Sequence, residues 1–127
     1  MEQSATPKTA VIGLGSTQVP TAGEPISRAA LAAPQAVSFD AAGDLAITEY
    51  GTSQVDLVAN RDCSTGCPYG LPALRKGYIY RVAGGGGSGY TSGTSATSVG
   101  LAAPYEVTFD SRQDLIFSDS GDNYVFL

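Results

Sequence analysis

The sequence predicts an all-β protein built from four-stranded antiparallel units, and two observations lead to this prediction. The first is an internal repeat: "LAAPQAVSFDAAGDLAITEYGTSQVDL" at 31–57 returns seventy residues later, without a gap, as "LAAPYEVTFDSRQDLIFSDSGDNYVFL" at 101–127, and twelve of the twenty-seven aligned positions are identical. The second is a scarcity of helical patterns. Only 15% of the residues are charged, and Gly, Ser, Thr and Ala are abundant, which favours turns and strands over amphipathic helices.

Three short strands are predicted within each copy of the repeat. The first, "QAVSFD" or "YEVTFD", alternates Val and Phe with polar residues at a period of two. A tight turn, "AAGD" or "SRQD", leads to the second strand, "LAITEY" or "LIFSDS". The third strand is "QVDLVA" in the first copy and "NYVFL" in the second.

A fourth strand is predicted before each copy, as "TAVIG" at 9–13 and "GYIYRVAG" at 77–84. With the strands of one unit named a to d, the chain order becomes d-abcd-abc. Four-stranded meanders repeated at a fixed period are typical of β-propeller blades. We therefore predict a flexible segment over residues 1–8 and two four-stranded blades over 9–127. The repeat itself spans 10–57 and 80–127.

The second copy and the segment before it, "YIYRVAGGGGSGYTSGTSATSVG", resemble an NHL repeat of the secreted bacterial type. The best-kept positions are the pairs Leu31/Leu101, Pro34/Pro104, Val37/Val107, Asp40/Asp110, Leu45/Leu115 and Val55/Val125. Two positions depart from the family pattern. Glu49 stands where the family prefers Asp, and Gln113 replaces the turn glycine that Gly43 supplies in the first copy.

The resemblance implies a propeller, commonly of six blades, in a family that includes secreted sensor or binding domains and a few lyases and lactonase-like enzymes. One blade cannot bury both of its faces, so each needs a neighbour on either side. We expect three copies to form a six-bladed homotrimer, in which the strand at 9–13 of one copy completes the last blade of another. The alternative is that the chain is a fragment of a longer propeller.

The charge and composition argue against several classes of partner. The net charge is −5, and the seven Lys and Arg residues are scattered, so neither nucleic acid nor an anionic membrane is an expected partner. The absence of histidine removes the usual proton shuttle and the commonest nitrogen ligand of zinc. The start, "MEQSATPKTA", lacks the basic and apolar stretches of a signal peptide.

The two cysteines, Cys63 and Cys67, lie in an inserted loop over 61–76, between strands c and d of the first blade. Three intervening residues, including Gly66, allow the chain to fold back and form a small disulfide. Free thiols or a metal ligand pair remain alternatives, although a structural zinc ion requires about four ligands. A disulfide predicts an extracellular or cell-surface origin.

The glycine run "GGGGSG" at 84–89 resembles a phosphate-binding loop only in composition, since no lysine and no helix start follow it. We interpret it as a connector between blades that crosses one face of the propeller. Its neighbours Tyr90, Thr91 and Ser92 are the candidate ligand contacts. The ligand on that face is expected to be a protein, a small molecule or a glycan.

Carboxylates recur at the predicted strand ends: Asp40, Asp44, Glu49, Asp110, Asp114, Asp119 and Asp122. They could bind calcium or act as an acid and base pair. Alternatively, each accepts backbone N–H groups in a turn, and the turn interpretation is favoured because the carboxylates obey the repeat. The basic residues Arg28, Arg61, Arg75 and Arg112 are predicted to be solvated surface charges.

The apolar strand residues are predicted to pack between blades. They are Val37, Phe39, Leu45, Ile47, Val55, Leu57, Ile79, Val82, Val107, Phe109, Leu115, Phe117, Val125 and Leu127. The expected function is that of a non-enzymatic binding and scaffold module, with no catalytic residue, metal or cofactor assigned. The alternative is a fragment of a lactonase-like or lyase-like enzyme with a carboxylate-bound calcium ion.

Overall fold

A computed structural model describes residues 19–29, 31–87, 89 and 93–126. The fold is all-β, as predicted, and contains two antiparallel sheets. The segment 1–8 and the predicted strand at 9–13 lie outside the described residues. Within the described ranges, no helix has the length and apolar character needed to cross a membrane.

The first sheet has five strands and contains the first copy of the repeat. Its strands are β1 (Glu24–Pro25), β2 (Pro34–Phe39), β3 (Leu45–Glu49), β4 (Gln54–Val58) and β5 (Tyr78–Gly84). Strands β2 to β5 pair in chain order as a meander, and β1 adds to the outer edge of β5. The four-strand meander matches the predicted order a, b, c and d. Strand β1 was not predicted.

The second sheet has three strands and contains the second copy. They are β6 (Pro104–Phe109), β7 (Leu115–Asp119) and β8 (Tyr124–Phe126), again in chain order. Strand β8 pairs with β7 through Tyr124, Val125 and Phe126.

The turns between the first two strands of each copy are closed by an aspartate. Asp40 accepts hydrogen bonds from the backbone N–H groups of Ala42 and Asp44 at 2.9 and 2.8 Å. Asp110 accepts the two equivalent bonds in the second copy, both at 2.9 Å. The turn interpretation is therefore confirmed for this pair. The glycine that Gln113 replaces is not essential, because Gln113 itself adopts a φ of 66°, in the left-handed region.

The repeat also extends into the segments that precede β2 and β6. Two short 3-10 turns, Ile26–Arg28 and Ala96–Ser98, lie seventy residues apart. Before them, Gly23 and Gly93 both have a positive φ, of 85° and 87°. At Gly23 a side chain is also excluded by space, since an added Cβ would lie 2.4 Å from the ring of Tyr80. The same backbone path therefore leads into both sheets.

The main core lies between the two sheets. The first sheet contributes one face of β3, β4 and β5, including Ala46, Val55 and Leu57, and the second sheet contributes Val107 and Phe117. A smaller cluster covers part of the opposite face of the first sheet. It contains Leu45, Ile47, Val58 and Ile79 of the sheet, with Val19 and Ala29 of the preceding segment packed against them.

Three of the residues predicted to pack between blades are exposed. Val37 is 62% exposed, Phe39 58% and Val125 70%. Val37 and Phe39 lie on the face of the first sheet that points away from the second sheet, because they pair with Ile47 and Leu45. The period-two pattern identified the correct face of each strand but could not show whether another sheet covers that face. Leu127 lies outside the described residues.

Candidate functional site

The inserted loop between β4 and β5 is held in place by a disulfide and by backbone pairing. Cys63 and Cys67 form the predicted disulfide, with a Cα–Cα distance of 5.8 Å. Cys63 and Leu74 exchange two backbone hydrogen bonds, at 3.0 and 2.8 Å. Leu71 and Leu74 are buried in the main core. The loop is therefore a folded part of the molecule.

A polar network joins this loop to the first turn of the first sheet. The Tyr69 hydroxyl donates to Asp40 Oδ2 at 2.7 Å. The Arg61 guanidinium donates from Nε to Asp44 Oδ2 at 3.0 Å, and its terminal nitrogen lies 2.9 Å from the same oxygen. Asp44 Oδ1 accepts the backbone N–H of Asn60 at 2.7 Å. The Arg61 side chain is 40% exposed, as expected of a surface charge, but the prediction missed the ion pair that its head group forms with a buried carboxylate.

The two carboxyl groups of this network are shifted in opposite directions. Burial raises the pKa of Asp40, but the hydrogen bonds it accepts, first among them the one from Tyr69, outweigh burial and lower its pKa overall. Burial raises the pKa of Asp44, and the neighbouring charge of Asp40 adds to this effect. Burial and the bond to Asp40 also raise the pKa of Tyr69, which keeps the hydroxyl protonated as a donor.

The carboxylates at the ends of β3 and β7 bind the segments that precede β2 and β6. Asp119 accepts the backbone N–H groups of Ala102 and Ala103, at 3.0 and 2.7 Å. Glu49 accepts the equivalent N–H of Ala32 through Oε1, at 2.8 Å. Both residues are fully buried. Asp119 thus uses both oxygens to stabilise the backbone, which leaves it little capacity to act as an acid or a metal ligand.

The glycine run after β5 is explained by close backbone approach. A Cβ on Gly84 would lie 2.4 Å from the carbonyl oxygen of Ser53, and one on Gly86 would lie 2.1 Å from the carbonyl oxygen of Ser98. Gly86 also donates a backbone hydrogen bond to Val99 at 3.2 Å. The first part of the run is therefore packed between other segments of backbone, which supports the interpretation as a connector.

A cleft of about 750 Å³ lies between the inserted loop and the second sheet. Its wall on the loop side includes Tyr69, and its floor includes Val82 of β5 and Phe117 of β7. The turn with Arg112 and Asp114 forms part of the rim. A cleft that combines an apolar floor with charged and hydroxyl groups at its edge suits a ligand with both apolar and polar faces.

The predicted ligand contacts Tyr90, Thr91 and Ser92 lie outside the described residues. Thr94 and Ala96, from the same connector, line the cleft. Tyr69 was missed in the sequence, because its partner Asp40 is twenty-nine residues away and no local pattern joins the two. The only feature of the sequence that could have indicated a role for Tyr69 is its position in an inserted loop that also contains the two cysteines.

No protein-family model matches the chain, and no curated protein matches it.

Proposed function

We propose that the chain is a non-enzymatic binding and scaffold module that associates with copies of itself into a closed β-propeller of the NHL type. Its two sheets supply two blades. Three copies would supply the six blades that are common in the family that the sequence resembles. The segment 9–13 of one copy, which the sequence predicts to be a strand, would pair with β8 in the next copy.

The observation that carries this proposal is the exposure of residues whose repeat counterparts are buried between the two sheets. Val107 of the second sheet is 7% exposed, whereas its counterpart Val37 in the first sheet is 62% exposed. On the other side of the interface, Val55 is 0% exposed, whereas its counterpart Val125 is 70% exposed. The two outer faces of the molecule therefore carry the two halves of the contact that its interior already makes.

These outer faces give a head-to-tail contact, because the Val125 face of one copy matches the Val37 face of the next. A head-to-tail contact forms a ring when the rotation between subunits closes, and it removes the exposed side chains of Val37, Phe39 and Val125 from water. Exposed apolar sheet faces are otherwise a common cause of aggregation. The disulfide in the inserted loop supports an extracellular or cell-surface location, where such bonds persist.

The test is the mass of the protein in solution, measured by sedimentation or light scattering. We expect three times the chain mass of 13.0 kDa. The substitution Val37→Asp should give a folded monomer, because it places a charge in the contact while leaving the interior unchanged. Tyr50→Asp is the control, since Tyr50 is exposed on a turn outside the proposed contact. A wild-type protein that is folded and monomeric would contradict the proposal.

In such an assembly the cleft beside the inserted loop would bind the ligand. The ligand class that fits its apolar floor and polar rim is a glycan or another small molecule with both kinds of surface. A binding screen with soluble oligosaccharides, run on wild-type protein and on Arg112→Ala, tests this part, because Arg112 is an exposed residue at the rim of the cleft. Weaker binding of a detected ligand by Arg112→Ala, with the assembly mass unchanged, is the expected result.

A further inference from the structure

A cluster of polar side chains, most of them buried, lies at the outward face of the first sheet, and we call it the Glu49 cluster. It consists of Glu49, Thr52, Gln54 and Asp56. Glu49 pairs directly with Gln54 across β3 and β4, and Ile47 pairs with Asp56, so Glu49, Gln54 and Asp56 share one face. All three are fully buried.

The hydrogen bonds within this cluster leave several oxygens without a partner. Gln54 Nε2 donates to Asp56 Oδ1 at 2.6 Å, and Glu49 Oε1 accepts the N–H of Ala32 at 2.8 Å. The oxygens that remain buried and unpartnered are Glu49 Oε2, Thr52 Oγ1, Gln54 Oε1 and Asp56 Oδ2. Buried acceptors are rarely left unsatisfied, because each costs about 1–3 kcal/mol.

No ion pair compensates the charge of the cluster within the described residues. The ion pairs there join Arg61 to Asp40 and Asp44, and none reaches Glu49 or Asp56. Arg81 lies opposite Asp56 on β5, but its terminal nitrogen donates to the carbonyl oxygens of Gly84 and Thr97 and not to the cluster. Two buried carboxylates without an ion pair are unfavourable. Protonation of Glu49 would reduce this electrostatic cost, and burial does raise the pKa of Glu49. A single proton on Glu49 could satisfy at most one of the acceptors on Gln54 and Asp56, and the other would remain unsatisfied.

The second copy of the repeat shows that the cluster is not required by the fold. The counterparts of Thr52, Gln54 and Asp56 are Asp122, Tyr124 and Phe126, and the counterpart of Glu49 is Asp119. Asp119 bonds two backbone N–H groups with its two oxygens. Glu49 is one methylene longer and directs only one oxygen to the backbone, and the other is held beside the Gln54 and Thr52 side chains. The first copy therefore departs from the repeat at all four positions together.

We propose that the Glu49 cluster binds a calcium ion through Glu49 Oε2, Thr52 Oγ1, Gln54 Oε1 and Asp56 Oδ2. The donor set consists only of oxygens, which hard cations prefer, and the charges of the two carboxylates balance one divalent ion. Calcium accepts irregular sets of carboxylate, amide and hydroxyl oxygens. Magnesium instead retains several water molecules in an octahedral shell, which a largely buried cluster has little room to hold.

The experiment is a calorimetric titration of the full chain with calcium chloride at neutral pH, after treatment with a chelator and dialysis. We expect one saturable site per chain. Glu49→Asp should weaken binding at least tenfold, because the shorter side chain can still reach the backbone, as Asp119 does, but withdraws the free oxygen. Asp56→Asn should weaken it similarly by removing a charge.

The matched control is Asp122→Asn, which removes an exposed carboxylate from the equivalent turn of the second copy and should leave the affinity unchanged. Circular dichroism establishes that each variant keeps its sheets. The proposal is overturned if the wild-type chain shows no saturable site, if Glu49→Asp binds as tightly as wild type, or if magnesium binds as tightly as calcium.

This inference does not depend on self-association, because all four ligands belong to one chain. The titration is repeated on Val125→Asp, whose substitution lies in the other sheet. Calcium binding to a monomeric Val125→Asp would uphold the site whatever the mass of the wild-type protein. A trimer without a calcium site would overturn this inference and leave the proposed function standing.

Discussion

At the residue scale, Asp119 fixes the segment that leads into β6. Its side chain is fully buried and accepts the N–H groups of Ala102 and Ala103. Hydrogen bonds to a charged group contribute more than neutral ones, and their loss leaves buried donors unsatisfied. The aspartate therefore stabilises the start of a sheet from the far end of the neighbouring strand.

We expect Asp119→Ala to lower the free energy of unfolding by about 3 kcal/mol, because two backbone donors lose their acceptor. Denaturation in urea measures the change. Asp122→Ala is the control, since that carboxylate is exposed three residues later and should change the stability by less than about 0.5 kcal/mol. Equal effects of the two substitutions would contradict the assigned role.

The bond between Tyr69 and Asp40 gives the stability a dependence on pH. The folded-state pKa of Asp40 lies below its ordinary value of 3.8. At pH values between the folded-state pKa and 3.8, the unfolded chain binds more protons than the folded chain. The stabilisation by Asp40 is therefore fully present above pH 3.8 and is lost as the pH falls through the folded-state pKa.

We expect Tyr69→Phe to cost about 1–2 kcal/mol at neutral pH, because a bond to a charged acceptor is lost. The difference from wild type should narrow as the pH falls below 3.8. The opposite contribution of Asp44, whose pKa is raised, is present in both proteins and largely cancels in this difference. Denaturation at several pH values measures it, with Tyr50→Phe as the exposed control. A difference that stays constant with pH would refute the explanation.

At the element scale, the sequence predicted seven of the described strands to within about a residue at most of their ends. The period-two alternation and the aspartate turns were sufficient, since both are local signals. Strand β1 was missed because Glu24 and Pro25 pair with Tyr78 and Ile79 more than fifty residues away. The polar network of Arg61 was missed for the same reason: its partners Asp40 and Asp44 are brought near only by folding.

The inserted loop has two independent sources of order, and removing one tests the other. We expect the double substitution Cys63→Ser and Cys67→Ser to cost about 2 kcal/mol or less, because the disulfide closes a very short loop. The backbone pair of Cys63 with Leu74 and the burial of Leu71 should keep the loop folded.

Denaturation with and without a reductant measures this effect. The reductant should lower the stability of the wild-type protein and leave that of the double variant unchanged. Loss of the β-sheet circular dichroism signal in the variant would show instead that the sheets depend on the disulfide.

At the scale of the whole molecule, the head-to-tail proposal predicts how two defective variants behave together. Val37→Asp places a charge on one outer face and Val125→Asp places a charge on the other. Each variant alone should therefore be a monomer. An equal mixture retains one intact contact, between the Val125 face of the first variant and the Val37 face of the second. We expect a dimer of twice the chain mass of 13.0 kDa, measured by sedimentation, and no trimer. Monomers only in the mixture would contradict a contact between these two faces.

The three residues between the cysteines have a consequence for how this molecule can vary. Ser64 and Thr65 are exposed, and Gly66 is exposed but has a φ of 62°, which favours glycine. The disulfide and the backbone pair of Cys63 with Leu74 hold the base of this loop tip, so the side chains of Ser64 and Thr65 contribute little to the stability of the sheets. Foreign peptides that retain a glycine at position 66 can therefore be displayed between the two cysteines, and natural variants can diversify at Ser64 and Thr65, at little cost to folding.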